Sequence, residues 1–377
     1  MLKSFNQNAV SNTHKAKSSI LWRLHLDAPL LLGLILLMMF GLLVIYSAGG
    51  ESIDLIKRQV VRLGFGMAVM LVIAQIPPRI LKMWAPVLYV GAIGFLLAVL
   101  LFGESSKGAQ RWINVGIRFQ PSEMMKIAMP MMVAWYFAEK ALPPSFKHLI
   151  VGLTLVMVPT IMIMMQPDLG TSLLIASSGF FIIFFAGIRW RYLLSAAFAG
   201  LVMVPIMWFF VMHEYQKGRV LTFLNPERDP LGAGYHIIQS QIAIGSGGVS
   251  GKGWLKGTQS QLEFLPERHT DFIFAVLGEE FGLIGVAVLL ALYLFIIVRG
   301  LQISLQAQDT FSRLLGAAIT LTFFVYLFVN IGMVSGLLPV VGLPLPLVSY
   351  GGTSMVTLLA GFGILMSIKT HRRLHSR

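Results

Sequence analysis

Apolar stretches of about 20 residues recur along the whole chain, and this feature constrains the fold more than any other. One such stretch, as a helix, crosses the ~30 Å hydrocarbon core of a bilayer. Charged residues make up only 12% of the sequence, against roughly 25% in a typical soluble domain. We therefore expect an all-α polytopic membrane protein, with residues 1–377 forming one integral membrane domain.

The hydropathy pattern predicts ten transmembrane helices. Their predicted positions are 28–47, 59–76, 84–102, 123–138, 148–165, 171–187, 191–212, 271–298, 312–334 and 350–368. An even number of spans puts both tails, 1–27 and 369–377, on one side of the membrane. Both tails are basic, and so are the short connections on their side, which predicts cytoplasmic termini by the positive-inside rule.

The first apolar run admits a second interpretation, because it follows basic residues and ends in the small residues of "SAGG" (47–50), as a cleaved signal peptide does. The run is closer to 20 residues than to the 7–15 of a signal peptide. A retained anchor is the favoured interpretation.

Two longer connections, 103–122 and 213–270, lie on the predicted outer side and hold most of its basic residues. The net charge of +13 suits anionic lipid headgroups inside and an anionic substrate outside. Nucleic acid is not an expected partner, because no basic soluble module is present to bind it. The absence of cysteine excludes disulfides and thiolate metal sites.

The Gly/Pro-rich stretch "LPVVGLPLPLVSYGG" (338–352) precedes the last predicted span. Non-helical backbone at membrane depth requires cover from protein or a water-filled cavity. The stretch is therefore either a re-entrant, cavity-lining segment or an ordinary connection, and the pattern does not choose between them. Within the long loop, "GYHIIQSQIAIGSGGVSGKGW" (234–254) combines an amphipathic run with glycines, and it lacks the spacing of a nucleotide-binding P-loop.

Glu123 and Lys126 stand three residues apart at the predicted outer end of the fourth span. At this spacing they share one helix face. Intramembrane charges usually pair with each other and face a cavity. The pair therefore either only joins helices or belongs to a substrate site together with the arginines of loop 103–122, Arg111 among them.

Two aspartates begin predicted spans, and capping competes with function for both. Asp168 in "QPDLGT" precedes the sixth span, and Asp271 begins the eighth. A carboxylate at either place satisfies free N–H groups of a helix end. Asp271, however, stands among further ionisable groups, namely Glu267, Arg268, His269, Glu279 and Glu280. This density indicates a polar cavity in which an Asp with a raised pKa acts as a general base.

Other enzyme classes lack support. The sequence has no G-x-S-x-G, H-E-x-x-H or Walker motif, so serine hydrolases, zincins and ATP-driven pumps are disfavoured.

Several long motifs in order resemble the SEDS family (shape, elongation, division and sporulation). They are "QPSEMMK" (120–126), "QPDLGTS" (166–172), "FLPERHTDFIFAVLGEEFGLIG" (264–285) and "NIGMVSGLLPVVGLPLPLVSYGGTS" (330–354), and the resemblance covers roughly residues 28–370. The details within "LPERHTDF" and "LGEEFG", and the short tails, are more similar to the branch that acts in cell elongation than to the division branch.

The resemblance implies a peptidoglycan glycosyltransferase that polymerises lipid II on the outer face of the bacterial inner membrane and releases undecaprenyl pyrophosphate. It also implies partners: lipid II and the undecaprenyl-pyrophosphate-linked glycan, a class B penicillin-binding protein, and other membrane proteins of the elongation machinery. The family's essential aspartate falls on Asp271. The other positions that the resemblance and the local charge cluster assign to substrate binding are Arg111, Glu123, Lys126, Asp168, Glu267, Arg268 and His269.

The resemblance implies no certain cofactor. The leaving pyrophosphate needs compensating positive charge, which basic side chains or a divalent cation such as Mg²⁺ or Mn²⁺ would supply. A lipid II flippase is the main alternative function, and a non-catalytic scaffold is another. A translocation path would carry ionisable groups through to the inner side, whereas the acidic residues here cluster at the predicted outer edge.

Overall fold

A computed structural model describes residues 24–106, 109–114, 118–212, 214–225, 233–262, 264–265 and 267–371. These residues are mostly helical. The helices are α1 (Ala28–Ala48), α2 (Ile53–Ala74), α3 (Pro78–Phe102), α4 (Pro121–Ala138), α5 (Phe146–Met165), α6 (Leu169–Phe185), α7 (Trp190–Ile206, continued by a π-helical segment Met207–Val211), α8 (Glu214–Leu224), α9 (Ala233–Gly247), α10 (Thr258–Gln261), α11 (Ile273–Leu305), α12 (Thr310–Val334) and α13 (Thr353–Thr370).

A helix stands at each of the ten predicted spans, but in the described part of the chain seven helices are long and apolar enough to cross a membrane. Three helices, α2, α4 and α6, are too polar or too short to meet this criterion. The first turns of α2 hold Asp54, Lys57 and Arg58, α4 contains Glu123 and Lys126, and α6 is only 17 residues long. The crossing of the membrane by all ten helices stays a prediction.

The prediction of an all-α fold is wrong in one place. A three-stranded antiparallel sheet follows α3 and consists of β1 (Glu104–Ser106), β2 (Ala109–Asn114) and β3 (Arg118–Phe119) in the order β1-β2-β3. The sequence did not predict these strands, because they are too short for an alternating pattern to stand out. The sheet leads into α4 and carries Arg111 on β2.

The helices pack where small residues let the backbones approach. Helix α2 packs mainly on α13, α1 on α11, and α4 contacts α3, α6 and α12. Gly66 of α2, for example, lies against Leu359 of α13, so closely that a Cβ there would stand 2.6 Å from the leucine Cδ1. Such contacts are typical of membrane helices, because apolar burial alone does not drive their association in lipid.

The segment between α12 and α13 has no regular structure, and its second part, 343–349, is largely buried. Leu345, Val348 and Ser349 are at most 3% exposed. The segment therefore packs inside the protein, as expected for a cavity-lining segment and not for an exposed connection.

Helix α11 is interrupted near its start. Gly282 has φ +61° and ψ −158°, and the chain there pairs with the segment after α9: Leu283 donates to the carbonyl of Gly248 at 3.0 Å, and Ile284 to that of Val249 at 3.1 Å. The break lets a loop hydrogen-bond with the helix backbone. It also tilts the first part of α11, which leads from Asp271.

Parts of the predicted tails and loop, namely 1–23, 226–232 and 372–377, lie outside the described residues. Of the long loop 213–270, the described part contains α8, α9 and α10.

Candidate active site

Asp271 does not occupy the capping position of α11. The helix begins at Ile273, its N-cap is Phe272, and that position provides no side-chain cap hydrogen bond. The N-cap position of the eighth span is therefore occupied by Phe272 and not by Asp271. The turn 267–272 places Asp271 one residue before the N-cap of α11.

Two side chains from other segments hold the backbone around Asp271. The amide of Asn330 on α12 donates to the carbonyl of Asp271 at 2.9 Å and to that of Leu343 at 2.7 Å. Ser349 donates to the carbonyl of Thr270 at 2.6 Å. Because Asn330 is fully buried, this geometry is fixed by the bundle and not by solvent.

Tyr350 also contacts the turn before α11, through both its backbone and its ring. The Tyr350 N–H donates to the carbonyl of His269 at 2.8 Å, and the two rings meet edge to face at 5.7 Å. The guanidinium of Arg62 on α2 lies 4.4 Å from the centre of the Tyr350 ring. A cation–π contact therefore places the Arg62 guanidinium near the turn, in addition to Arg268 of the turn itself.

Three predicted site residues from the turn before α11 line one cleft, and Asp271 is not among its lining residues. The cleft has a volume of about 340 Å³, and its walls are Ala48, Gly49, Leu55, Leu265, Glu267, Arg268 and His269. Arg268 donates from Nη1 to the carbonyl of Ser260. Glu267, Arg268 and His269 are consecutive in the chain, and all three line this cleft.

Two histidines of this region have lowered pKa values. Burial lowers the pKa of His269, and of His236 on α9, whose ring stacks on Phe272 at 5.8 Å. The Glu267 carboxylate opposes the shift in both cases. Both rings are therefore neutral at pH 7, and neutral imidazoles both donate and accept hydrogen bonds.

The predicted pair on α4 forms as expected. Lys126 Nζ lies 2.7 Å from Glu123 Oε1, both side chains are at most 8% exposed, and the ammonium lies 5.3 Å from the ring centre of Tyr326 on α12. The other oxygen of Glu123 has no hydrogen-bond partner among the described residues. A buried carboxylate oxygen without a donor is unusual, which favours a polar ligand or water at this place.

Asp168 both caps a helix and binds the sheet. Its Oδ1 accepts from the N–H of Thr171 in the first turn of α6 at 3.2 Å. Its Oδ2 accepts from Gln120 at 3.3 Å and lies 3.7 Å from Nε of Arg111. Arg111 also donates to the carbonyl of Pro167 at 2.5 Å. Capping therefore does not exclude function here.

Helix α12 and the segment that follows it connect the Glu123–Lys126 pair with Asp271. Tyr326, beside Lys126, and Asn330, beside Asp271, are four residues apart on α12, and residues at this spacing lie on one face. On the other side, Gly342 stands against Asp271, whose Oδ2 lies 3.5 Å from the position that a Cβ on this glycine would take. The Glu123–Lys126 pair of α4 and Asp271 of the 267–272 turn therefore lie along the same face of α12.

Glu279 and Glu280 do not share a cavity with Asp271. The Glu279 carboxylate binds the segment 252–260, and that of Glu280 accepts from Ser47 on α1. The number of ionisable residues near the start of α11 predicted one shared polar cavity. Two of these carboxylates instead bind a loop and a neighbouring helix.

Sequence reasoning also missed four supporting residues, Asn330, Ser349, Tyr350 and Arg62. A signal existed for Asn330, because a lone amide within an apolar span is usually functional. No local signal identifies Arg62 or Tyr350, since their contact joins segments almost 290 residues apart.

No group of three His, Asp or Glu side chains in the described part of the chain is arranged to hold a metal ion. The described residues therefore do not form a metal site by themselves.

Comparison with known proteins gives consistent matches over almost the whole chain. The sequence model of the FtsW/RodA/SpoVE family, described as "Cell cycle protein", matches residues 27–374. The "Peptidoglycan glycosyltransferase MrdB" of Escherichia coli K12 is 56% identical over 356 residues, which cover 94% of this chain and 96% of that protein.

Solved structures agree. A chain from "Structural coordination of polymerization and crosslinking by a peptidoglycan synthase complex" is 31% identical with a TM-score of 0.82, covering 93% of this chain and 99% of that one. The rod shape determining protein RodA of Thermus thermophilus is 28% identical with a TM-score of 0.69, covering 91% and 96%.

Proposed function

The chain belongs to the FtsW/RodA/SpoVE family, and we propose that it is a peptidoglycan glycosyltransferase that polymerises lipid II into glycan strands during cell elongation. The closely similar E. coli protein bears the name of this activity. The observation that carries the proposal is the position of Asp271, which lies in a turn held by Asn330 and Ser349 and outside the helix cap.

The reaction requires a general base and a stabilised leaving group. Asp271 removes the proton from the C4 hydroxyl of the acceptor N-acetylglucosamine, and the oxygen attacks the anomeric carbon of the N-acetylmuramic acid at the end of the growing chain. The bond from that carbon to the pyrophosphate oxygen breaks, undecaprenyl pyrophosphate leaves, and the linkage inverts from α to β. A base within hydrogen-bond reach of the hydroxyl contributes typically 10²–10⁴-fold to such a step.

Basic side chains compensate the charge of the leaving pyrophosphate. Arg268 lines the cleft. Arg111 on β2 lies beside Asp168, the N-cap of α6, and Lys126 lies in the bundle beside Glu123. Donors aimed at a developing charge in a site that excludes water are worth more than in water. A divalent cation is an alternative, and it would be held mainly by the pyrophosphate oxygens, as Mg²⁺ often is.

The site is on the outer face of the inner membrane, and both termini are cytoplasmic. The basic inner connections support this orientation. All ten helices cross the bilayer in the proposed arrangement. The protein works with a class B penicillin-binding protein that crosslinks its product, which the likeness to a peptidoglycan synthase complex supports, and with other membrane proteins of the elongation machinery.

The proposal is tested by incubating the purified protein in detergent with labelled lipid II and a partner penicillin-binding protein that lacks glycosyltransferase activity. Glycan chains that a muramidase digests to disaccharides are expected. Detergent removes the two compartments that a flippase needs, so a transporter would leave lipid II unchanged. Unchanged lipid II, in an assay in which the E. coli relative makes chains, would contradict the proposed function.

A further inference from the structure

Helix α11 buries a carboxylate that takes no direct part in the proposed chemistry. Glu279 has no exposed surface. Its oxygens accept hydrogen bonds from Lys252 Nζ at 2.7 Å, Thr258 Oγ1 at 3.1 Å and the N–H groups of Gln259 and Ser260 at 2.9 and 3.2 Å. A buried charge is tolerated only when it is paired and hydrogen-bonded, and all these donors come from the segment 252–260.

The carboxylate acts as a cap for the short helix α10. The N-cap of α10 is Gly257, which offers no side chain, and the N–H groups of the next residues need acceptors. Glu279 supplies them through space. Gly257 makes the approach possible, because a Cβ at this position would lie 2.9 Å from Oε2 of Glu279. Glu279 therefore binds four donor groups of this segment.

The same segment holds Arg268. The N–H of Ser260 donates to Glu279, and the carbonyl of Ser260 accepts from Nη1 of Arg268. Ser260 thus connects the buried carboxylate with the guanidinium of Arg268, which lines the cleft. Lys252 strengthens the link, since its backbone N–H also donates to the carbonyl of Glu279 at 3.0 Å.

From this chain of contacts we infer that Glu279 is a positioning residue that sets the place of the Arg268 guanidinium through the segment 252–260. The inference rests on the proposed function, in which Arg268 faces the pyrophosphate of the donor. An arginine recognises phosphate through a planar fork of donors, so its orientation decides its contribution. Loss of Glu279 leaves Arg268 present but misplaced.

A double-mutant cycle tests the inference, with the initial rate of lipid II polymerisation measured over a range of lipid II concentrations. Glu279→Gln keeps the shape of the side chain and removes the charge. We expect it to lower kcat/KM about 2- to 150-fold, the range of coupling between residues of one hydrogen-bond network. Arg268→Ala is expected to cause at least as large a loss. The double variant is expected to match Arg268→Ala, because Glu279 acts only through Arg268. A difference of up to about 2-fold counts as a match, since even independent effects add only to this precision.

A milder variant and a matched control complete the experiment. Lys252→Met removes one donor from a partly exposed side chain and keeps the others, so it folds more readily; a smaller loss is expected, again absent when Arg268 is already Ala. Asp27→Asn is the control. Asp27 is a buried carboxylate that accepts hydrogen bonds from Arg299 at 2.9 and 2.7 Å. Arg299 is on α11, 20 residues after Glu279. Its loss is expected to lower thermal stability without coupling to Arg268.

The outcomes separate the two proposals. If the native protein polymerises lipid II but the losses of Glu279→Gln and Arg268→Ala multiply in the double variant, or if Arg268→Ala has no effect, the inference is wrong and the proposed function stands. If the native protein makes no chains beside an active E. coli relative, the proposed function fails, and the inference fails with it.

Discussion

At the scale of single residues, the site depends on polar side chains that each make several bonds inside an apolar bundle. Asn330 is the clearest case, because its one amide group holds two carbonyls, including that of Asp271. A buried carbonyl that loses its donor costs about 1–3 kcal/mol. The arrangement of the base therefore depends on residues that never contact substrate.

Replacing Asn330 by Leu is expected to lower the polymerisation rate at least about 10-fold, because two carbonyls lose their donor and the 267–272 turn is released. Rates and thermal unfolding in detergent are the measurements. Thr322→Val is the matched control, since Thr322 lies on the same helix and its hydroxyl donates to the carbonyl of Ala318 at 2.7 Å, within its own helix. Equal rates for the Leu variant and the native protein would remove Asn330 from the site.

The Glu123–Lys126 pair separates stability from activity. Breaking a buried pair by removing one partner costs about 3–5 kcal/mol, whereas replacing both by apolar groups is often neutral. We expect Glu123→Gln and Lys126→Met each to lower thermal stability. The double variant Glu123→Leu/Lys126→Met should regain stability without regaining polymerisation. A stable and active double variant would reduce the pair to a structural role.

At the scale of elements, interruptions of regular structure position the site. The turn before α11, the break at Gly282 and the buried segment after α12 all place non-helical backbone beside charged groups. In a bilayer such backbone must be covered by protein. The Gly/Pro signals were visible in the sequence, but the partners that cover them were not.

Gly282→Ala is expected to destabilise the protein by about 1–3 kcal/mol, because a side chain at this positive φ is strained and its Cβ would lie 2.3 Å from the nitrogen of Gly251. The melting temperature in detergent measures the effect. Gly94→Ala on α3 is the control, since nothing lies within 4 Å of a Cβ there, and a gain of about 0.5–1 kcal/mol is expected. A melting temperature of Gly282→Ala as high as the native one would show that the break tolerates a side chain.

At the scale of the whole molecule, the sequence predicted the positions of the helices better than their environment. Apolar runs identify the helices because a span needs about 20 such residues, and the i, i+3 spacing predicted the Glu123–Lys126 pair. It did not predict that Phe272 would be the N-cap of α11 or that Glu279 would bind a loop, because a carboxylate near a helix start has several acceptable partners. The small sheet was missed because two- to six-residue strands carry too little pattern.

The predicted orientation is testable with single cysteines, because the natural chain has none. Ser250→Cys and Ser145→Cys both place a thiol at an exposed position. In right-side-out membrane vesicles, a membrane-impermeant maleimide should label the Ser250→Cys variant, and the Ser145→Cys variant only after the vesicles are opened. The reverse pattern would invert the topology and move the site to the inner face.

The most direct test of the central claim is polymerisation of labelled lipid II by the Asp271→Asn variant beside the native protein, each with the same partner penicillin-binding protein. Asn has the same shape but does not accept the acceptor's proton, so we expect a loss of at least about 10²-fold, the usual contribution of a general base. Folding and partner binding should be unchanged. Asp309→Asn, which removes a carboxylate that caps α12 through Ser312 at 2.9 Å, serves as control and should retain activity. Glycan chains formed by Asp271→Asn at the native rate would contradict the assignment of Asp271 as the base.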